Sequence, residues 1–160
     1  MKSLILYYSR SGTTAKVANA LGTELSADIK EIKCPRYQGG WFAYLRAGYD
    51  SVKGRLPPID FPDLSFDEYD LVIIGAPIWT SYPALPLRSF LARKPKLPSR
   101  VAVFFTLGGH SPAEKAVKMV EGFLPVPLAA SLELSHDQVI EGRDSDTVET
   151  FVAKLNAIDG

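Results

Sequence analysis

Leu4-Ile5-Leu6-Tyr7-Tyr8-Ser9-Arg10-Ser11-Gly12-Thr13-Thr14 carries three structural signals in sequence. Leu4–Tyr8 is a short apolar run rich in strand formers. It does not alternate with polar residues, the pattern of a strand buried on both faces, as in a parallel sheet. The run stops at Ser9-Arg10-Ser11-Gly12, and the period then changes. Val17, Ala18, Leu21 and Leu25 recur at helical spacing and predict one helix over Thr13–Leu25.

The same alternation continues along the chain. Asp28–Ile32, Leu71–Ala76, Val101–Leu107 and Leu128–Leu134 read as four more strands, with Pro77 stopping the third and Gly108-Gly109 ending the fourth. A helix is expected at about Leu85–Ala92. Another starts at Ser111-Pro112-Ala113-Glu114, where Ser111 caps, Pro112 takes the first helical position and Glu114 completes a capping box. Its buried face is Ala113, Ala116, Val117, Val120 and Leu124. Asp144 or Ser145 caps a last helix with Val148, Phe151, Val152 and Leu155 on one stripe. Cys34–Asp67 is irregular and rich in Pro and Gly. Trp41–Val52 inside it can form a helix with Trp41, Tyr44, Leu45 and Gly48 on one face. So long a stretch with little regular structure is often functional in a compact domain. Strands alternating with helices imply an α/β fold, a doubly wound five-stranded parallel sheet with helices on both faces. At 160 residues the chain suits one domain spanning 1–160, with an irregular insert at about 34–67.

Composition narrows the function. Eighteen basic residues balance eighteen acidic ones, which argues against broad attraction to nucleic acid. The apolar runs are too short to span a bilayer, and Tyr7-Tyr8-Ser9-Arg10 ends the first before a signal peptide develops. Cys34 is the only cysteine, so an intrachain disulfide and a cysteine metal site are both excluded. This fits a reducing cytoplasm, the expected location. Two isolated histidines, His110 and His136, suggest no metal centre.

In doubly wound sheets, ligands sit at the carboxyl ends of the strands, at the switch point in strand order. That rule selects three loops. The first, 9–14, sets hydroxyls around Arg10 and Gly12 at a helix start. Hydroxyls, backbone amides and a helix N-terminus suit a phosphate; ordinary helix capping by Ser9, Ser11 or Thr13 is the alternative. Neither a Gly-x-Gly-x-x-Gly after the first strand nor a Gly-x-x-x-x-Gly-Lys-[Ser/Thr] is present, which disfavours dinucleotide and nucleotide-hydrolysing sites. The second loop, Ala76-Pro77-Ile78-Trp79-Thr80-Ser81-Tyr82-Pro83, is stiffened by two prolines and offers Trp79 or Tyr82 to a flat ring; aromatics that merely cover the sheet edge are the alternative. The third, Thr106-Leu107-Gly108-Gly109-His110-Ser111, has paired glycines that let main-chain amides face a ligand, with simple turn chemistry as the alternative. His110 is a candidate proton donor there, with an exposed loop histidine as the alternative. His136 follows the fifth strand and reads as structural, beyond the pocket. Cys34 reads as an inert thiol, and Arg46, Lys53 and Arg55 as a solvated basic face.

Together these segments resemble the flavodoxin family. Ser9, Ser11, Gly12 and Thr14 match its phosphate loop, Thr/Ser-x-Thr/Ser-Gly-Asn-Thr, with Thr13 where Asn is common. Asp70–Leu91 resembles the family's third strand, flavin loop and helix, and Gly108-Gly109 the loop along the pyrimidine edge of the ring. The resemblance implies strand order 2-1-3-4-5 and flavin mononucleotide (FMN) as cofactor. It places FMN on Ser9, Arg10, Ser11, Gly12, Thr13 and Thr14, on Pro77, Ile78, Trp79, Thr80, Ser81 and Tyr82, and on Thr106, Leu107, Gly108, Gly109 and His110. Trp79 maps best to the side chain on the isoalloxazine.

Function then has three readings. The first is an oxidoreductase, of the NAD(P)H:quinone type and commonly oligomeric, passing electrons from NAD(P)H to a quinone or similar small acceptor. The second is a flavodoxin-type electron carrier that docks on partner redox proteins. The third is a non-catalytic flavin-binding or interaction module. Carriers of this family are typically strongly acidic, and this balanced chain departs from that pattern toward the enzyme.

Overall fold

A strand buried on both faces must feed two cores, and the residues of the first strand do so. In the computed structural model, which describes residues 1–109 and 112–157, all of β1 (Ser3–Tyr7) is buried. Leu4 and Leu6 enter one core, Ile5 and Tyr7 the other. β3 (Leu71–Trp79) and β5 (Val101–Leu107) divide in the same way: Val72, Ile74, Val103 and Phe105 on the first side, Leu71, Ile73, Ala102 and Phe104 on the second. Where β3 crosses the Phe104 ring it carries Gly75, because that ring occupies the space a Cβ would need.

Helix α1 (Thr13–Leu25) covers the second face together with α6 (Ser145–Ala157). α3 (Leu85–Ala92) and α4 (Glu114–Glu121) cover the first. With β2 (Asp28–Glu31) and β6 (Ser131–Ser135), the parallel strands run in the order β2-β1-β3-β5-β6. That is the expected 2-1-3-4-5 topology.

Four local features differ from expectation. β3 continues through Pro77, which pairs with Thr106. A proline removes a donor but keeps its acceptor, and the Pro77 carbonyl accepts from Ala84 N at 2.9 Å. β3 then turns back into a two-residue antiparallel strand, β4 (Tyr82–Pro83), an addition to the five parallel strands. The fifth parallel strand is shorter than expected and starts at Ser131. α4 starts at Glu114 with Ala113 in the cap position, so Pro112 precedes the helix, and Ser111 lies outside the described residues.

The insert is more ordered than its composition suggests. A 3-10 turn (Pro35–Tyr37) and α2 (Trp41–Lys53) are joined by buried Asp50, whose Oδ2 accepts from Arg36 Nε at 2.7 Å and from the Tyr37 hydroxyl at 2.9 Å. α2 buries Ala43, Ala47 and Asp50, while Trp41, Tyr44 and Leu45 of the expected face are exposed. Small residues on the inner side let the helix lie close; the large ones point away from the sheet or across its end. The following strap is tied down by Ser89 Oγ donating to Pro57 O at 2.7 Å and by Phe61 and Phe66 packing edge-on against Phe90.

Candidate functional site

The loop after β1 is shaped by Ser9 and Gly12. Gly12 adopts φ +95°, a left-handed conformation that favours glycine, and open space surrounds the position of a Cβ there. Ser9 Oγ accepts from Gly12 N at 3.1 Å and from Ala15 N at 3.3 Å. Ser9 is thus a local cap that holds the turn. Among the described residues, the amides of Ser11, Thr13 and Thr14 have no protein acceptor, as expected at a helix start. Thr14 Oγ1 lies 2.7 Å from Thr106 Oγ1, both buried, which joins the first loop to the end of β5. Arg10 sets its guanidinium 5.3 Å from the centre of the Tyr44 ring, and its Nε is buried without a hydrogen-bond partner.

The second loop is a hairpin tip. Thr80 and Ser81 both adopt left-handed φ, 50° and 73°, between the paired residues Trp79 and Tyr82. That backbone matches the twist of a two-residue hairpin but is normally served by Asn or Gly. Thr80 is held from outside: its hydroxyl lies 2.8 Å from Ser51 Oγ on α2. The Trp79 ring meets Tyr8 and Tyr37 edge-on, at centroid distances of 5.8 and 5.5 Å. Burial pushes both phenols well above their ordinary range, and the Asp50 carboxylate adds to the effect at Tyr37. The indole is therefore fixed against an uncharged aromatic pair.

These loops border one cavity of about 650 Å³. Arg10, Ser11, Thr13 and Thr14 line it from the first loop, Pro77, Ile78, Trp79 and Thr80 from the second, and Thr106, Leu107 and Gly108 from the third. Ser9 and Gly12 shape their loop without lining the cavity; Ser81, Tyr82 and Gly109 also stay off it. Tyr82 faces outward beneath the Arg88 guanidinium. His110 lies outside the described residues. No Asp or Glu is among the described lining residues.

Two contributions come from outside the three loops. α2 forms a further wall through Tyr44, Leu45, Ala47, Gly48, Tyr49 and Ser51. Tyr44, Gly48 and Ser51 fall at i, i+4 and i+7, so the helical period of the insert carried the signal. The second is His136. It opens a short helix, α5 (His136–Ile140), and lines the cavity with Nδ1 2.8 Å from Thr13 Oγ1. The expectation of a purely structural histidine beyond the pocket is corrected. β6 ends beside β5, so its following residue reaches the same sheet edge as the other loops. The rule about strand ends would have selected it as a fourth position.

Arg36, donating to Asp50, holds that carboxyl below the usual carboxylate range against the opposing effect of burial. Cys34 is buried, its Sγ 3.6 Å from Pro58 O, and burial raises its thiol pKa, as an inert thiol requires.

Comparison with known proteins agrees with this architecture. The family model described as flavodoxin matches residues 2–152. The crystal structure of a flavoprotein from Lactobacillus acidophilus NCFM in complex with FMN is 27% identical, with a TM-score of 0.71, over 88% of this chain and 97% of that one. The NMR structure of the apo form of the flavoprotein from the same organism is 28% identical, with a TM-score of 0.65, over 82% and 91%. An apo NADH:FMN oxidoreductase shares the fold at 16% identity, with a TM-score of 0.57 over 98% and 90%. A search of curated proteins found no match.

Proposed function

The chain belongs to the flavodoxin family, and from that premise we propose that it is an FMN-binding oxidoreductase passing electrons from NAD(P)H to a quinone or similar small acceptor. The observation that carries this reading is the pairing of two unlike surfaces in one cavity. One end offers unpaired helix-start amides, hydroxyls and Arg10 with no lining carboxylate. The other is an aromatic and apolar wall of Trp79, Ile78 and Leu107. FMN has the same polarity, a phosphomonoester at one end and a flat conjugated ring at the other. A volume of about 650 Å³ is ordinary for a cofactor site. The Lactobacillus flavoprotein that this chain resembles was solved with FMN.

When bound, FMN supplies the redox chemistry. The residues of the chain would bind, orient and shield it. The amides of Ser11, Thr13 and Thr14 donate to phosphate oxygens, and Arg10 adds a charge whose Nε has no protein partner to leave. Trp79, held by Tyr8 and Tyr37, gives the ring a fixed apolar edge. α2, tied to the hairpin tip through Ser51 and Thr80, closes a side of the cavity against water. This walled site suits a small acceptor and, with the balanced charge, favours an enzyme. The carrier reading has one observation of its own: Trp41 and Phe42, 68% and 83% exposed on α2, offer apolar surface for a docking protein.

The test is to load the protein with FMN and add NADH or NADPH without oxygen. Rapid bleaching of the flavin absorbance supports the enzyme. Reduction that needs a partner reductase supports the carrier.

A further inference from the structure

His136 opens α5 and reaches across the cavity edge to a residue at the start of α1. Its Nδ1 lies 2.8 Å from Thr13 Oγ1, and Thr13 Oγ1 lies 3.5 Å from Ser11 Oγ. Thr13 and Ser11 both line the cavity, as does His136 itself. The placement is firm at both ends. Ser135 N donates to Gln138 Oε1 at 2.8 Å and Gln138 N donates to Ser135 Oγ at 3.1 Å, a reciprocal cap that fixes the residue before His136. Thr13 is buried in the first turn of α1.

The chemistry follows from counting protons. Thr13 has one hydroxyl hydrogen. When Nδ1 carries no proton, that hydrogen is drawn to the imidazole and the threonine oxygen turns its lone pairs toward the loop, the wrong polarity for a phosphate. When Nδ1 carries a proton it donates to Thr13 Oγ1, which frees the hydroxyl hydrogen to donate into the loop. The neutral ring reaches the same arrangement in its Nδ1–H tautomer, so protonation fixes that arrangement and adds a positive charge beside the loop. Among the described lining residues the other cation is Arg10, and no carboxylate opposes them. The charged residues on the elements packed against α5 are Lys16 and Glu24 on α1 and Glu133 on β6, with Asp137 on α5 itself. Glu133 lines a separate groove against α6.

The geometry points to His136 as the proton-linked reader of the cofactor's phosphate: the protein binds a dianionic phosphomonoester together with a proton on His136, and so prefers FMN to the uncharged riboflavin more strongly as pH falls. This rests on the FMN reading above and assigns a residue to it that the three loops do not contain. His136 is a positioning residue, acting through Thr13.

The test measures FMN and riboflavin affinity by quenching of flavin fluorescence, in phosphate-free buffer, from about pH 8.5 to about pH 6.5, where imidazole ordinarily changes charge and the phosphate is mostly dianionic. For the natural chain, FMN binding should tighten roughly ten-fold toward the acid end, the scale of a hydrogen bond to a charged group, while riboflavin shows no such slope. His136→Gln, whose amide donates to Thr13 at every pH, should lose the slope. NMR titration of the natural chain gives a second readout that needs no variant to fold. Binding and protonation are reciprocal, so FMN must move the His136 titration to higher pH. Equal FMN slopes in the natural chain and His136→Gln, or a His136 titration that stays or falls on FMN binding, would overturn the assignment. Failure of both flavins to bind at any pH would instead overturn the FMN reading itself.

Discussion

Thr14 Oγ1 and Thr106 Oγ1 are 2.7 Å apart and buried, joining residues 92 positions apart in the chain. The contact ties the first turn of α1 to the last residues of β5, and Thr106 is itself paired with Pro77 on β3. The hydroxyl pair thus joins the first loop to the third, and strand pairing brings the second alongside. Thr14→Val should leave Thr106 with a buried hydroxyl lacking its partner and cost roughly 1–3 kcal/mol of unfolding free energy in urea. Thr106→Val should cost a similar amount, and the double variant less than the sum, since the residues share one interaction.

Ser11→Ala should behave in the opposite manner. Ser11 is exposed, lines the cavity, and its hydroxyl is 3.5 Å from its neighbour Thr13. Stability should change by less than about 0.5 kcal/mol. FMN affinity should fall roughly ten-fold, as for a lost hydrogen bond to a charged group. Equilibrium titration and a urea melt on the same variant separate the two effects.

Ser81 sits at φ 73° at the hairpin tip, does not line the cavity, and has no side-chain hydrogen bond among the described residues. Ser81→Gly should relieve left-handed strain of about 1–2 kcal/mol, offset by the greater freedom of glycine in the unfolded chain. We expect a net gain of up to about 1 kcal/mol in a thermal melt, with FMN affinity unchanged.

Asp50 gives the insert a pH dependence. Its pKa is lowered in the folded protein, first by the hydrogen bond from Arg36 and then by that from Tyr37. A depressed carboxyl contributes stability that is complete above the ordinary range and is lost as the pH falls through the folded value. Asp50→Asn should therefore cost roughly 1–3 kcal/mol at neutral pH, moderated by solvent around the half-exposed Arg36. The gap between variant and natural protein should narrow as the pH falls below about 4. Urea melts at both pH values check it.

The elements written in local chemistry were legible. Thr13–Leu25, Leu85–Ala92 and Val101–Leu107 have the predicted bounds, because an apolar period ends at Gly, Pro or a polar cap in each case. Pro77 misled because its effect depends on whether the partner strand needs its missing N–H, which only the sheet reveals. The helical period of α2 was legible, and Tyr44, Leu45 and Gly48 of its expected face do share the cavity wall. Which face packs inward was not, because it is set by buried Asp50 with Arg36 and Tyr37, and the close approach selects Ala43 and Ala47 for the inside. The strand-end rule, applied to the fifth parallel strand, marks the position of His136, but its partner Thr13 is 123 residues away and nothing local marks the pair.

The most direct measurement for the central proposal is an equilibrium titration of cofactor-free protein with FMN, followed by flavin fluorescence and absorbance. The account predicts saturable binding of one FMN per chain, with the fluorescence quenched as the ring packs beside Trp79 and its tyrosine neighbours. A flavin signal that stays that of free FMN throughout the titration would contradict it.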